Sequence, residues 1–328
     1  MKKLLAIIIG LVVSFSSYSY IVTEYFGIFN DGWNETKGKE DNFNKCIALN
    51  PPYNSWDLTF ICFLVVKEKN GVYEAKYENM RGYDDPYPGT QIKPILPAKG
   101  DSDKDRIQKL KKAALAKNPN MKFLVSLGYG SVGNLSFLAG AAKTPAAFAQ
   151  SVGQVVEDCG LDGFDIDYEG VNVNGQGIAQ GISKIDFINI IIALRTELDN
   201  RGTKLNKKLY LTLTPDTLNY IDAGTVNKFV DFLQMQSYDY SGDLGLLPQA
   251  VLDLGIDKSK ILFGRDIENG DTLTSGNKSG NVGDIPDYVQ ENAMRGIMGW
   301  RVNSGKEMGN GFTEVIQLGN SLQRTSLK

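Results

Sequence analysis

Short β-rich apolar segments alternate with longer helix-like segments along most of this 328-residue chain, and this alternation constrains the fold most. The predicted strands are Ile21–Phe29, Leu58–Val66, Lys122–Leu127, Gly163–Asp167, Leu209–Leu213, Phe232–Gln236, Ile261–Phe263 and Gly296–Gly299. Apolar residues spaced three and four apart predict helices over Asp103–Ala116, Pro145–Asp158, Lys184–Asn200, Val226–Val230, Pro248–Leu254, Asp287–Asn292 and Thr313–Leu322. Repeated βα units build a parallel sheet, and eight of them close into a barrel. The sequence therefore predicts an α/β fold with a single (β/α)8 TIM barrel in residues 20–328.

One segment does not follow this alternation. Gly71–Asp101 is rich in Gly, Pro, Tyr and Asp, and it is long for a connection between barrel elements. Long connections of this kind are often binding loops. Two interpretations stay open: a solvated insertion, or a substrate-facing loop using Tyr83, Asp85 or Tyr87.

The predicted strand Gly163–Asp167 lies within an acidic segment, Leu161–Glu169, in the middle of the chain. Strand side chains alternate, so Asp165, Asp167 and Glu169 share one face, which in a barrel turns toward the axis. Buried carboxylates are costly unless they share protons or accept hydrogen bonds, so their presence here indicates use in catalysis. Glu169 comes last and reaches the carboxyl-terminal mouth, where active sites of this fold lie. A structural hydrogen-bond cluster and an oxygen-ligated metal site are the alternatives, and Asp162, at the start of the strand, is expected to be structural.

The composition excludes several chemistries. The chain has no histidine, which excludes Ser-His-Asp and Cys-His mechanisms and every metal site that depends on imidazole. Cys46, Cys62 and Cys159 match no zinc spacing and are interpreted as buried structural residues, with the pairing of any two left open. A formal charge of −3, with basic and acidic residues interspersed, argues against nucleic acid as a partner. We expect no metal, no cofactor and a monomer.

The first residues have the pattern of an export signal. Lys2 and Lys3 precede the apolar run Leu4–Phe15, and a small-residue stretch ends at Ser19. This pattern predicts a signal peptide in residues 1–19 and a secreted or periplasmic protein with no stable membrane span after its removal. An uncleaved anchor is the alternative, although the apolar run is short for a bilayer.

The motif Asp-Gly-x-Asp-x-Asp-x-Glu at residues 162–169 resembles the signature of glycoside hydrolase family 18, the chitinases and related endo-β-N-acetylglucosaminidases. The resemblance extends over most of the predicted barrel. Segments similar to the family's strand endings are Ser126–Gly130, Leu211–Asp216, Gln234–Tyr240 and Gly296–Trp300. Tyr25 falls where the family often has an aromatic residue. The chain departs from the family pattern at Tyr129, which replaces a glycine, and at the strand-seven ending Gly264–Asn269.

The resemblance implies retaining, substrate-assisted hydrolysis of β-1,4-linked N-acetylglucosamine, in chitin, chito-oligosaccharides or N-glycans. In this scheme Glu169 protonates the glycosidic oxygen while the sugar's own 2-acetamido oxygen attacks the anomeric carbon. Asp167 hydrogen-bonds the acetamido N–H, and Asp165 shares a proton with Asp167. The alternatives are an endo-β-N-acetylglucosaminidase, a non-catalytic lectin-like barrel that binds such sugars, and an unrelated barrel hydrolase with two acting carboxylates.

The same resemblance implies further site residues. Tyr238 has a phenol suited to the acetamido carbonyl oxygen and is expected to take part in catalysis. Substrate-binding roles are expected for Gln236, Asp239, Tyr25 and Trp300, and a pyranose ring can stack on the broad apolar face of Trp300.

Overall fold

The computed structural model describes residues 19–28, 42–77, 102–128, 138, 140–168, 182–215, 218, 220–237, 246–267, 284–303 and 308–322. Its strands are β1 (Ile21–Gly27), β2 (Leu58–Cys62), β3 (Val65–Lys69), β4 (Val72–Lys76), β5 (Lys122–Gly128), β6 (Gly163–Tyr168), β7 (Tyr210–Pro215), β8 (Phe232–Met235), β9 (Ile261–Asp266) and β10 (Gly296–Trp300). All except β3 and β4 form a closed parallel barrel in the spatial order β1-β10-β9-β8-β7-β6-β5-β2. The first and last strands pair, with Ile21 opposite Gly296, and so close it. The predicted (β/α)8 barrel is confirmed.

Helices cover the outside of the barrel. They are α1 (Asn42–Ala48), α2 (Asp103–Leu115), α3 (Pro145–Asp158), α4 (Lys184–Leu205), α5 (Ala223–Phe229), α6 (Leu246–Asp253), α7 (Asp284–Glu291) and α8 (Met308–Ser321). Outward side chains of the strands, such as Val125 and Ile166, share one buried apolar cluster with helix residues such as Val152 and Ile190. None of the helices in the described part of the chain has both the length and the apolar character to cross a membrane.

The end of α3 turns the chain into the acidic strand. Gly160 adopts a left-handed conformation, with φ at +61°. Its N–H donates to the carbonyl of Glu157 at 3.1 Å, and the N–H of Leu161 donates to that of Val156 at 2.8 Å. This pair of bonds is a Schellman motif, which satisfies the last helix carbonyls. Helix α3 therefore ends at Asp158, and β6 begins five residues later, at Gly163.

The barrel interior is divided by polarity along its axis. Apolar side chains cluster near the starts of the strands, among them Ile21, Leu58, Leu124, Tyr210, Phe232 and Leu262. Buried polar side chains lie further along the same strands, namely Thr23, Ser126, Asp165, Asp167, Thr212, Thr214, Gln234 and Gln236. Buried polar groups need hydrogen-bond partners, so these side chains are expected to form a network. The polar half of the interior is the carboxyl-terminal half.

The predicted strand Leu58–Val66 is wrong in its second half. β2 ends at Cys62, and Val65 starts an antiparallel hairpin, β3 with β4, that lies outside the barrel sheet. Asn70 and Gly71 both have positive φ, at 54° and 77°, as a two-residue type I′ turn requires. The connection predicted to begin at Gly71 therefore starts with a strand, β4, which the sequence analysis did not predict. Tyr83, Asp85 and Tyr87 lie outside the described residues.

Short helix α1 is absent from the sequence prediction. Its buried residues Phe43 and Cys46 are three positions apart, as on one helix face. Cys46, Cys62 and Cys159 are all buried, and no disulfide joins them. Their interpretation as buried residues is confirmed.

Candidate active site

Strand β6 carries both predicted aspartates into the barrel. Asp165 is fully buried and Asp167 is 4% exposed. Phe164, which precedes Asp165, points the other way and belongs to the outer apolar cluster. Gly163 makes this strand possible, because a Cβ there would lie 2.1 Å from the carbonyl oxygen of Tyr210 on β7. The predicted alternation of acidic and apolar faces is confirmed for the described part of the strand.

The carboxylate of Asp165 is surrounded by donors. Oδ2 accepts from the hydroxyls of Tyr25 and Ser126, both at 2.7 Å, and Oδ1 accepts from Thr212 at 2.6 Å, Thr214 at 3.1 Å and the Gln234 amide at 3.2 Å. Burial raises the pKa of Asp165 above its ordinary value, and the hydrogen bonds from the four hydroxyls oppose that rise. Hydrogen bonds to the charged form favour it. These donors therefore offset part of the cost that burial places on the ionised form of Asp165.

Tyr25, on β1, supports this carboxylate. Burial raises the pKa of its phenol well above the ordinary value, and the nearby charges of Asp165 and Asp167 raise it further. The phenol therefore stays protonated and acts as a donor to Asp165. Its ring is 1% exposed and packs on Phe60, with centroids 4.9 Å apart, and edge-on against Trp300 at 5.2 Å.

Asp167 has a separate donor. The amide Nε2 of Gln236, immediately after β8, donates to Asp167 Oδ1 at 3.1 Å, and both side chains are buried. Gln236 was expected to hold the sugar directly. The geometry directs its amide at the aspartate expected to contact the acetamido group.

Trp300 ends β10 and is partly exposed, unlike the apolar residues below it. Its ring stacks on Phe63 with centroids 5.9 Å apart and planes at 25°. An aromatic face at the carboxyl end of a barrel strand is placed where a sugar ring can reach it.

Three predicted residues, Glu169, Tyr238 and Asp239, lie outside the described residues. β6 ends at Tyr168, immediately before Glu169. Their expected roles stay predictions.

Comparison with known proteins identifies the family. Residues 18–272 match the family model of Glycosyl hydrolases family 18. The chain belongs to this family. The family predicted from the resemblance of residues 162–169 is therefore confirmed.

Individual proteins similar to this family-18 chain are described as chitinases or chitinase-like proteins. It is 30% identical over 141 residues to Endochitinase 1 of Metarhizium anisopliae, which is 40% of this chain and 30% of that protein. The matched region thus spans less than a third of that relative. Among solved structures, a chitinase from Paenibacillus sp. str. FPU-7 has a TM-score of 0.67 at 16% identity, covering 93% of this chain and 43% of the other. A chitinase-like agglutinin from Robinia pseudoacacia has a TM-score of 0.59 at 13% identity, covering 91% and 98%. At these identities the solved structures support the fold.

Sequence reasoning missed several polar residues of the family-18 site. Thr23, Thr212, Thr214 and Gln234 are buried side chains in the hydrogen-bonded network around Asp165 and received no role from sequence. Ser126, Thr212, Thr214 and Gln234 lie within segments that resemble the family's strand endings, but the resemblance assigned them no role. The signal that could have found them is a polar residue at every second position of a strand predicted to be buried, as Thr212 and Thr214 are in β7.

The described residues contain no group of three or more acidic, cysteine or histidine side chains placed to hold a metal ion. A surface cavity of about 790 Å³ lies at the opposite end of the barrel, where Asp231 precedes β8. Two of its cations are paired, since Arg195 and Lys208 contact Asp231 at 3.1 and 2.7 Å. The amino-terminal end of a barrel serves stability, so this cavity is not the candidate active site.

Proposed function

We propose that this family-18 chain hydrolyses β-1,4-linked N-acetylglucosamine, in chitin or chito-oligosaccharides, with retention of configuration. The observation that carries the proposal is the buried pair Asp165 and Asp167, which lie on the strand that directly precedes Glu169. Each aspartate accepts hydrogen bonds from its own donors on other strands. Two carboxylates buried in a barrel interior are costly unless they are used. The relative described as an endochitinase supports a polymeric substrate.

The proposed reaction is substrate-assisted. Glu169 gives its proton to the glycosidic oxygen, and the bond from that oxygen to the anomeric carbon breaks. The 2-acetamido oxygen of the same sugar bonds to the anomeric carbon and forms a cyclic oxazolinium ion. Water then attacks that carbon from the side of the departed sugar, the acetamido oxygen leaves, and Glu169 takes a proton from the water. Two displacements retain the configuration.

The two aspartates support the charge that develops. Asp167 accepts the acetamido N–H and stabilises the positive charge of the cyclic ion. Asp165 is ionised in the shell of donors that includes Tyr25, so the proton that the pair shares resides on Asp167. Coupled carboxylates of this kind titrate as a unit.

The remaining residues hold the sugar. Tyr238 donates to the acetamido carbonyl oxygen, and Asp239 binds the same sugar. Gln236 orients Asp167, and Trp300 provides the surface on which a pyranose ring stacks.

The boundaries and location of the mature protein are inferred from the sequence pattern of its first residues. Residues 1–19 act as a signal peptide, and residues 20–328 form the catalytic barrel, a secreted or periplasmic monomer that requires no metal or cofactor. Mass spectrometry of the exported protein tests the cleavage after Ser19.

The test of function compares the native chain with two variants on chito-oligosaccharides and N-glycans. Glu169→Gln keeps sugar binding and loses about 10²–10⁴-fold in turnover, the usual contribution of a general acid. The matched control is Asp162→Asn, at the other end of the same strand. Asp162 accepts from the Phe123 N–H at 3.0 Å and contacts Lys207 at 3.3 Å, so this change affects stability and leaves turnover unchanged.

Each other result points to an alternative. Binding without hydrolysis by the native chain, on every substrate, identifies a lectin-like barrel. Cleavage of N-glycans alone identifies an endo-β-N-acetylglucosaminidase. Near-normal turnover by Glu169→Gln removes Glu169 from the role of acid.

A further inference from the structure

Gln234 connects three strands inside the barrel. It lies on β8, is fully buried and faces the axis. Its side chain reaches Thr23 on β1, Thr214 on β7 and Asp165 on β6. A glutamine in this position has no role in the apolar core, so its amide must be satisfied by these contacts.

The amide has one orientation in this network. The hydroxyl of Thr23 donates to Gln234 Oε1 at 3.2 Å, which places the amide oxygen toward β1. The NH₂ group then faces the opposite way and donates to Thr214 Oγ1 at 2.9 Å and to Asp165 Oδ1 at 3.2 Å. Only hydrogens of Gln234 reach the carboxylate.

A second glutamine repeats the arrangement two residues later. Gln236 donates to Asp167, just as Gln234 donates to Asp165, and the aspartates are likewise two residues apart on β6. Residues two apart on a strand share a face, so each aspartate has its own amide donor from β8. The carboxylates are therefore held separately, which lets them keep different protonation states.

We propose that Gln234 is a positioning residue for the reaction, which holds the carboxylate of Asp165 ionised and fixed beside Asp167. This inference rests on the proposed function, because the role of Asp165 does. Without the amide, the ionised form of Asp165 loses a donor inside a dry interior, and the proton shared by the pair is no longer confined to Asp167. Gln234 itself does not touch the sugar.

The test is the pH dependence of kcat/KM in two substitutions. Gln234→Glu keeps the shape and places a second carboxyl against Asp165, and a like charge at this distance disfavours ionisation. The acidic limb of the profile moves to higher pH, by about one unit, with a loss of about tenfold or more at the native optimum. Gln234→Met removes the donors without adding charge and moves the limb in the same direction by less.

The matched control is Gln108→Met on α2. The amide of Gln108 donates to the carbonyl of Cys159 at 2.9 Å, outside the barrel interior, so its loss affects stability alone. Thr23→Val removes the hydroxyl that orients the Gln234 amide and gives a smaller shift in the same direction, while Thr23→Ser restores the native profile. These milder variants carry the test if the Gln234 variants do not fold.

The proposal is overturned if the pH profile is unshifted in all three variants, Gln234→Glu, Gln234→Met and Thr23→Val, and only their melting temperatures fall. Gln234 is then a structural residue. Failure of the proposed function is distinguishable, because then the native chain itself cleaves no N-acetylglucosamine substrate.

Discussion

Asp165 is a buried carboxylate whose described hydrogen-bond partners are hydroxyls and one amide. Burial alone favours the neutral acid, whereas each donor favours the ion. The balance is held by side chains from strands on several sides of the barrel, so loss of any one donor should affect catalysis through Asp165.

Tyr25→Phe tests this at one hydroxyl, since the ring keeps its packing on Phe60. Removing a hydrogen bond to a charged group costs about 1.5–3 kcal/mol. We expect kcat/KM to fall by about 10- to 100-fold. The acidic limb should move to higher pH, because the pKa of Asp165 rises when a donor is lost.

Tyr53→Phe is the matched control. Tyr53 is also buried, but its hydroxyl has no hydrogen-bond partner among the described residues. We expect unchanged kinetics for this variant. Equal kinetic profiles for the two variants would contradict the supporting role of Tyr25.

The site could be predicted from sequence only where it lies on one strand. Alternation along β6 was enough to place Asp165 and Asp167 on one face. The partners come from far along the chain: Tyr25 is 140 residues from Asp165, and Gln236 is 69 residues from Asp167. No local sequence pattern predicts such contacts, because they depend on how the strands are aligned with one another in the barrel.

At the scale of elements, a buried charge cluster lies where the barrel closes. Glu24 on β1 faces outward and is fully buried, and neither carboxylate oxygen has a hydrogen-bond donor among the described residues. Gly299 on β10 leaves it room, since a Cβ there would lie 2.2 Å from Glu24 Oε2. On the far side of Gly299, Arg265 on β9 donates to Glu314 on α8 at 3.4 Å.

Glu24 makes stability depend on pH. Burial raises its pKa well above the ordinary value, and the charge of Glu314 raises it further. Below about pH 4 the carboxyl is neutral in both folded and unfolded chains, so its ionisation does not affect the free energy of unfolding. As pH rises, the unfolded chain gains stability by ionising while the folded chain cannot, so the free energy of unfolding falls up to the raised pKa.

We therefore expect Glu24→Gln to stabilise the protein at pH 7–8, by about 2 °C or more in melting temperature, and the gain to vanish near pH 4. Melting curves across this range provide the measurement. Glu291→Gln, at an exposed position on α7, is the control and should show no such trend. A variant less stable than the native chain at neutral pH would show that Glu24 is held as an ion.

The boundaries of elements show what sequence patterns miss. The end of β2 could not be predicted within the apolar run Leu58–Val66, because a continuous apolar run carries no signal for where one strand ends and a hairpin begins. The Asn70–Gly71 pair is the local signal of that hairpin. Helix α4 extends to Leu205, beyond the predicted Asn200, and ends where Asn206 adopts a left-handed conformation with φ at 50°.

For the whole molecule, the barrel separates its two ends by chemistry. Apolar side chains fill the amino-terminal half, and the other half holds the network around Asp165 beside aromatic residues such as Phe63 and Trp300. The number of βα units predicted this closed architecture. The polarity of the interior follows from residue types at alternate positions once the strands are placed.

Metal removal tests an alternative for the acidic strand. Hard cations bind carboxylate oxygens, but the proposed reaction needs none. We expect exhaustive chelation to leave turnover unchanged. Loss of activity that calcium or magnesium restores would assign the carboxylates to a metal site.

The most direct measurement compares two chito-oligosaccharides that differ only at the sugar on the scissile bond, with a 2-acetamido group in one and a free amine in the other. Because the attacking oxygen belongs to that acetamido group, we expect cleavage of the first, with retained configuration, and turnover of the second reduced by at least about 10²-fold. Asp167→Asn should slow the first reaction as well. Equal rates on the two substrates would contradict the account and favour a two-carboxylate mechanism with Asp167 as the nucleophile.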